Sequence, residues 1–242
     1  MLKEISSLRP VDVTAVVIES MVMSSAALQH PVSARTARPA RPGLAPRSTP
    51  CFTPGAMITT QRGPCPVEHL VVGDRVITRD NGIQPVRWVG KTQMFIHDFQ
   101  AEPHLLPIFV RRGALGKDLP ERDMMLSPNH RVLVTSARTT LRHSDREVLV
   151  AAKHLTSQGV HTVQSSGTTY IHFMCDRHEI VLADGIWTES FHPDDQSLKG
   201  IGNAQRLEIL ELFPELKTSE GRLAHGPARQ VVVPADGAVR TV

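Results

Sequence analysis

Between Ser33 and Pro50 the chain runs through Pro, Ala, Arg and Ser with no apolar period, and at Cys51 the pattern changes. From there apolar residues come in short runs separated by turn residues. Met57 to Thr60 is apolar and β-branched and ends at Gly63-Pro64. Asp74 to Thr78 follows a Gly73-Asp74 turn and alternates through Val76 and Thr78. Asp80-Asn81-Gly82 predicts a hairpin, because Asn-Gly tolerates the positive φ that tight turns need, with Val86 to Val89 as the returning strand. Arg131 to Thr135, Glu147 to Ala151, Thr169 to Cys175 and Glu179 to Ala183 repeat the pattern, the last closed by Asp184-Gly185. Many short strands at regular spacing predict an all-β fold of sandwich or barrel type. One helical period stands out, an amphipathic helix from about Asn203 to Phe213 stopped by Pro214. The last 25 or so residues read as a loose tail.

Composition sharpens this in three ways. Length and apolar content, 242 residues and 40%, allow one domain of about 100–200 residues plus tails. Aromatics make up 4%, so the core is aliphatic. Pro39, Pro42, Pro46 and Pro50 deny residues 33–50 a helix or a central strand, so residues 1–50 are expected to be a disordered N-terminal segment. The net charge of +3 owes much to Arg35, Arg38, Arg41 and Arg47 in that segment. Without interleaved aromatics they read as a solvated linker, so no nucleic-acid partner is expected. No apolar run approaches the roughly 18 residues that span a bilayer, and Val13 to Ile18, broken by Glu19, makes a poor signal peptide. No membrane partner is expected, and the compartment stays open between cytoplasm and export.

Three cysteines, Cys51, Cys65 and Cys175, are too few and too odd for a disulfide framework. Taken alone, Cys51 fits a small buried hydrophobe as well as a thiolate nucleophile aimed at its own Pro50 carbonyl. Ser127-Pro128-Asn129-His130 places a histidine after a turn and before an apolar strand, where it can protonate a leaving amide nitrogen or pack in a core. In Cys175-Asp176-Arg177-His178-Glu179, Asp176 and His178 share strand parity, so the carboxylate can fix the imidazole tautomer. A zinc reading of His172-x-x-Cys175-x-x-His178 with Cys65-x-x-x-His69 conflicts with strand geometry, which turns positions three apart to opposite faces. No metal and no cofactor are expected.

Together, in order, these blocks resemble the Hint family of hedgehog autoprocessing domains, inteins and bacterial intein-like domains. The opening Cys51-Phe52-Thr53-Pro54-Gly55 is similar to that of short bacterial Hint proteins, with Gly63, Val67, Leu70 and Gly73-Asp74-x-Val76 behind it. Ser127-x-x-His130 resembles the family's Thr-x-x-His block, and His178 to Ser190 its closing blocks. The resemblance implies a horseshoe-like β-fold over residues 51–192, followed by a C-terminal helix and tail over 193–242. It also implies an N-to-S acyl shift in which Cys51 attacks the Pro50 carbonyl, with Ser127 and His130 assisting and Asp176 and His178 nearby. The substrate would be the chain's own N-terminal segment, the acceptor water or a small nucleophile, the turnover single, and the protein a monomer. Two departures matter. Ala56 stands where most openings carry Thr, and Thr188-Glu189-Ser190 stands where inteins end in His-Asn. Full splicing is therefore not expected, and the alternative is a degenerate Hint fold serving as a binding or structural module.

Overall fold

The computed structural model describes residues 49–135, 147–234 and 239–240. The disordered segment expected over residues 1–50 lies outside the described residues apart from Thr49 and Pro50. Strands dominate the rest. They are β1 (Met57–Thr60), β2 (Gly63–Pro66), β3 (Arg75–Ile77), β4 (Ile83–Pro85), β5 (Trp88–Phe95), β6 (Ile108–Val110), β7 (Met124–Leu126) and β8 (Arg131–Thr135). Then follow β9 (Glu147–Ala151), β10 (Leu155–Thr156), β11 (Val160–Thr162), β12 (Gly167–Met174), β13 (Ile180–Ala183), β14 (Ile186–Glu189), β15 (Val231–Val232) and β16 (Val239–Arg240). Helices are short: α1 (Ile96–Ala101), α2 (Asp195–Gly200), α3 (Asn203–Leu212) and α4 (Ser219–Ala224).

The main sheet has nine strands in the order β15-β9-β8-β14-β13-β1-β3-β4, with β2 paired to β1. The apolar run Arg131 to Thr135 forms one of its central strands. In β8 the two valines Val132 and Val134 are buried while Arg131, Leu133 and Thr135 are half-buried, which is the period of a pleated strand with one face inward. Asn81-Gly82 closes the β3–β4 hairpin with Gly82 at φ +65°, but the returning strand is Ile83–Pro85 rather than Val86 to Val89, because Trp88 and Val89 begin β5 and pair with β12 instead.

A separate long ribbon pairs β5 with β12 over their full lengths, from Gly167↔Phe95 to Met174↔Trp88. Strand β12 is buried on both faces from Tyr170 to Met174, and its two faces serve different cores. Ile171 and Phe173 join the large aliphatic core with Phe52, Ile58, Leu126 and Val132. On the other face Tyr170 packs with Cys51, Phe99 and Leu105, and Met174 packs with Trp88, Phe191, Ile209 and Leu216. His172 lies between these last two, on the same face.

Helix α3 begins at the predicted residue and ends one residue early, before the Pro214 stop. It is less amphipathic than its sequence suggests, since Ile209 is buried while Leu207 and Leu212 are exposed. The tail departs from expectation. Residues beyond Thr218 form α4, β15 pairs in parallel with β9 and β16 with β10. Two-residue strands leave no period to read; β15 adds to the edge of the main sheet, whereas β16 and β10 make a two-stranded sheet of their own. No helix among the described residues is long and apolar enough to cross a membrane.

Candidate active site

The Cys51-Phe52 segment is held in place by backbone pairing on both sides. Phe52 N–H donates to the Ile171 carbonyl at 2.8 Å and its own carbonyl accepts from Ile171 at 2.9 Å, while Ser127 N–H donates to the Cys51 carbonyl at 3.0 Å. The segment thus lies between the end of β7 and the middle of β12. The Phe52 ring anchors it, 1% exposed and 5.8 Å from Phe173.

This places both reacting atoms of Cys51 against named partners. Its backbone N–H, which belongs to the Pro50–Cys51 bond, donates to Ser127 Oγ at 2.8 Å, and Ser127 Oγ donates onward to the Thr49 carbonyl at 2.8 Å. Its thiol Sγ lies 3.2 Å from the Thr49 carbonyl and 3.0 Å from His172 Nδ1. Burial pushes the thiol pKa far above its ordinary value, so the sulfur rests as a thiol and needs a base before it can attack. Burial also lowers His172 to about 4. The imidazole is therefore neutral near pH 7 and carries a lone pair for the thiol proton.

His172 is clamped. Its ring stacks on Trp88 at 5.5 Å and 12°, and tilts against Phe191 at 5.4 Å. Gly90 stands opposite it in the ribbon. A methyl group there would come within 2.2 Å of Trp88 and 2.7 Å of His172, so the stack depends on the missing side chain.

His130 lies beside Phe52, ring centroids 4.3 Å apart. Its Nε2 is 2.6 Å from Thr188 Oγ1, and that hydroxyl donates to the Arg131 carbonyl at 2.7 Å. A hydroxyl has one proton to give, so Nε2 is the donor in the first contact and Nδ1 holds the lone pair. Nδ1 is buried with no hydrogen-bond partner among the described residues. Burial lowers this imidazole to about 4 as well.

The third histidine has a different partner from the one expected. Asp176 is exposed and pairs with Arg87 at 3.3 Å, because the residues after β12 turn out into solvent instead of continuing the strand on which the shared parity relied. The carboxylate beside His178 is Glu189, whose Oε2 lies 3.3 Å from His178 Nε2 with both side chains fully buried. Glu189 also accepts from Arg131 N–H at 2.9 Å and from the Arg131 guanidinium at 3.0 Å. Burial alone would raise the Glu189 pKa; the hydrogen bond from His178 and the Arg131 charge outweigh it and hold the carboxyl below the usual range. Burial keeps His178 below its ordinary value in spite of Glu189. The group is thus an ionised Glu189–Arg131 pair with a neutral His178.

Of the residues expected from sequence, Cys51, Ser127, His130 and His178 are all buried, Cys51 and Ser127 in direct contact, while Asp176 is not brought to them. Sequence reasoning missed His172, which it weighed as a zinc ligand, and Glu189, which it read for what it lacks. Ala56 is buried in the aliphatic core, where its methyl packs. No group of three or more His, Cys, Asp or Glu side chains among the described residues could hold a metal ion. All three cysteines are free.

These protonation states carry a stability consequence. His130 and His172 take protons near pH 6.5 when unfolded and about 4 when folded, so between those values the unfolded chain binds more protons. Stability is expected to fall as pH drops from about 6.5 to 4, by roughly 3 kcal/mol for each of the two. Urea unfolding midpoints at neutral and acid pH check this; equal midpoints would contradict the buried neutral histidines.

Comparison with known proteins places this arrangement. A family model described as the Hint domain matches residues 50–195, more than half of the chain. Among solved structures the chain is similar to the gp41-1 intein, at 13% identity, 58% of this chain, 98% of that chain and a TM-score of 0.35. It is similar to a DnaB intein from Synechocystis sp. PCC 6803, at 11% identity, 59% and 99% coverage and a TM-score of 0.38. A bacterial intein-like domain from Clostridium thermocellum gives 14% identity, 58% and 97% coverage and a TM-score of 0.36. No curated protein matches.

Proposed function

This chain belongs to the Hint domain family, and from that premise we propose that it is a single-turnover self-processing module acting on its own Pro50–Cys51 bond. The observation that carries the reading is the double hold on Cys51. Its amide N–H is on Ser127 and its buried thiol is 3.0 Å from a neutral imidazole.

The steps balance as follows. His172 Nδ1 takes the thiol proton as Sγ bonds to the Pro50 carbonyl carbon. The tetrahedral intermediate collapses with loss of the C–N bond, and the proton returns from His172 to the departing Cys51 nitrogen. His130, with its Nε2–H committed to Thr188, serves as an acid only after gaining a second proton. The shift leaves residues 1–50 as a thioester on Cys51. Water or a small nucleophile then attacks that carbonyl, releasing the segment and restoring the thiol. An open cleft of about 470 Å³ beside Pro50, lined by His104, Asn129, Arg131 and Lys153 among others, gives such a nucleophile access.

The second half of splicing has no chemistry here. A terminal Asn cyclises through its side-chain amide nitrogen; Glu189 has none, and its carboxylate is bound to Arg131 and His178. The inactive-module reading draws on Ala56, which lacks the usual hydroxyl. Hydroxylamine separates the two. An active module yields residues 1–50 as a hydroxamate, and a Cys51→Ala chain yields none; a wild-type chain that never reacts overturns the proposal.

A further inference from the structure

The matched Hint domain ends at residue 195, yet the second nitrogen of each of three site-region histidines meets the chain beyond it. For His172 the polar neighbour lies on α3. Gln205 Nε2 donates to the Lys91 carbonyl at 2.8 Å, which fixes the amide and leaves Oε1 as its acceptor. Gln205 Oε1 and His172 Nε2 are both buried with no hydrogen-bond partner among the described residues, and the Gln205 side chain opposes the effect of burial on the ring. A proton on Nε2 is the one an unpartnered Gln205 Oε1 can accept, and it leaves the lone pair on Nδ1, the nitrogen facing Cys51 Sγ. One turn along the same helix, Glu208 accepts from Trp88 Nε1 at 3.0 Å, holding the indole on which His172 stacks.

For His178 the partner is a backbone group. Ala228 N–H donates to Nδ1 at 3.0 Å. A backbone N–H can only donate, so Nδ1 is unprotonated and the ring proton sits on Nε2, toward Glu189. For His192, which stacks on His178 at 4.7 Å, Nε2 lies 2.7 Å from the His225 carbonyl and must be the donor.

We propose that residues 203–228 are a positioning segment of the active site, fixing which ring nitrogen of His172, His178 and His192 carries the proton. Resting on the self-processing reading for its purpose, the segment gives the thiol base its working tautomer before reaction, so that no ring flip or proton exchange precedes attack. Preset orientation of this kind is what a positioning group contributes to rate.

The test uses the full chain with imidazole ¹⁵N NMR beside cleavage followed by intact mass. Wild type is expected to show His172 as the Nε2–H tautomer. Gln205→Leu, which removes the acceptor, is expected to give mixed tautomers at His172 and to slow cleavage about tenfold. Ala228→Pro removes the donor to His178 and frees Nδ1. With Glu189, Arg131 and His192 still facing that ring, His178 is expected to take its second proton at higher pH than in wild type. A wild-type tautomer pattern in Gln205→Leu, or an unmoved His178 titration in Ala228→Pro, overturns the proposal. If no chain cleaves, the self-processing reading fails while the tautomer pattern still decides the role of residues 203–228.

Discussion

Replacing His172 with alanine is expected to slow release of residues 1–50 by about 10²–10⁴-fold, the range that a general base contributes. The argument starts from the sulfur. Burial pushes the Cys51 thiol so far toward its protonated form that spontaneous ionisation near pH 7 is negligible, and an amide carbonyl is a poor target for a neutral thiol. A base in contact is needed, and the imidazole at 3.0 Å is His172. His130 does not substitute: its Nε2 donates to Thr188, and the side chain that Sγ touches is His172. The Thr49 carbonyl is the other acceptor within reach of the single thiol proton, but it is far too weak a base. His172→Gln separates chemistry from packing: it fills part of the space between Trp88 and Phe191 without offering a basic nitrogen, so it should be nearly as slow as alanine. Precursor remaining over time, read by intact mass, checks both. A His172→Gln chain that cleaves at the wild-type rate would remove the base assignment.

The second large effect concerns stability. Glu189→Leu is expected to cost about 3–5 kcal/mol, because it strips the counter-charge from a buried guanidinium. Glu189 is 0% exposed and Arg131 half-buried at 17% of its side chain, so water replaces the lost carboxylate poorly. The same change leaves the Arg131 backbone N–H without its acceptor and removes the carboxylate 3.3 Å from His178 Nε2, each a further cost. Glu189→Gln keeps an acceptor oxygen for one of these and should lose less. Pairing Glu189→Leu with Arg131→Leu removes both charges and should recover part of the loss, because an apolar pair in a dry site is tolerated better than half an ion pair. Urea unfolding of the four chains measures this; equal stability of Glu189→Leu and wild type would mean the ion pair contributes nothing.

Much of the sheet was legible because it obeys local rules. Strands β8 and β9 fall on the apolar runs Arg131 to Thr135 and Glu147 to Ala151, and the Asn81-Gly82 turn places the β3–β4 hairpin. The short strands β6, β7, β15 and β16 and the six-residue helix α1 had no period long enough to read. In the site, Cys51, Ser127 and His130 were legible from their block spacing. His172 was hidden by its own strand: among Tyr170, Ile171, Phe173 and Met174 it looks like a core position, and its partner Cys51 is 121 residues away in the chain. Asp176 failed for a local reason. Parity with His178 matters if the strand continues, and β12 ends at Met174. The carboxylate that serves instead, Glu189, comes from β14, and no spacing rule within one segment could find it.

The most direct measurement of the central claim is the intact mass and N-terminal sequence of the full chain incubated at neutral pH, beside its Cys51→Ala variant. The account predicts that the wild-type chain loses residues 1–50 and begins at Cys51 while the variant stays whole. Wild type and variant both remaining full length, or both cleaving at the same bond, would contradict it.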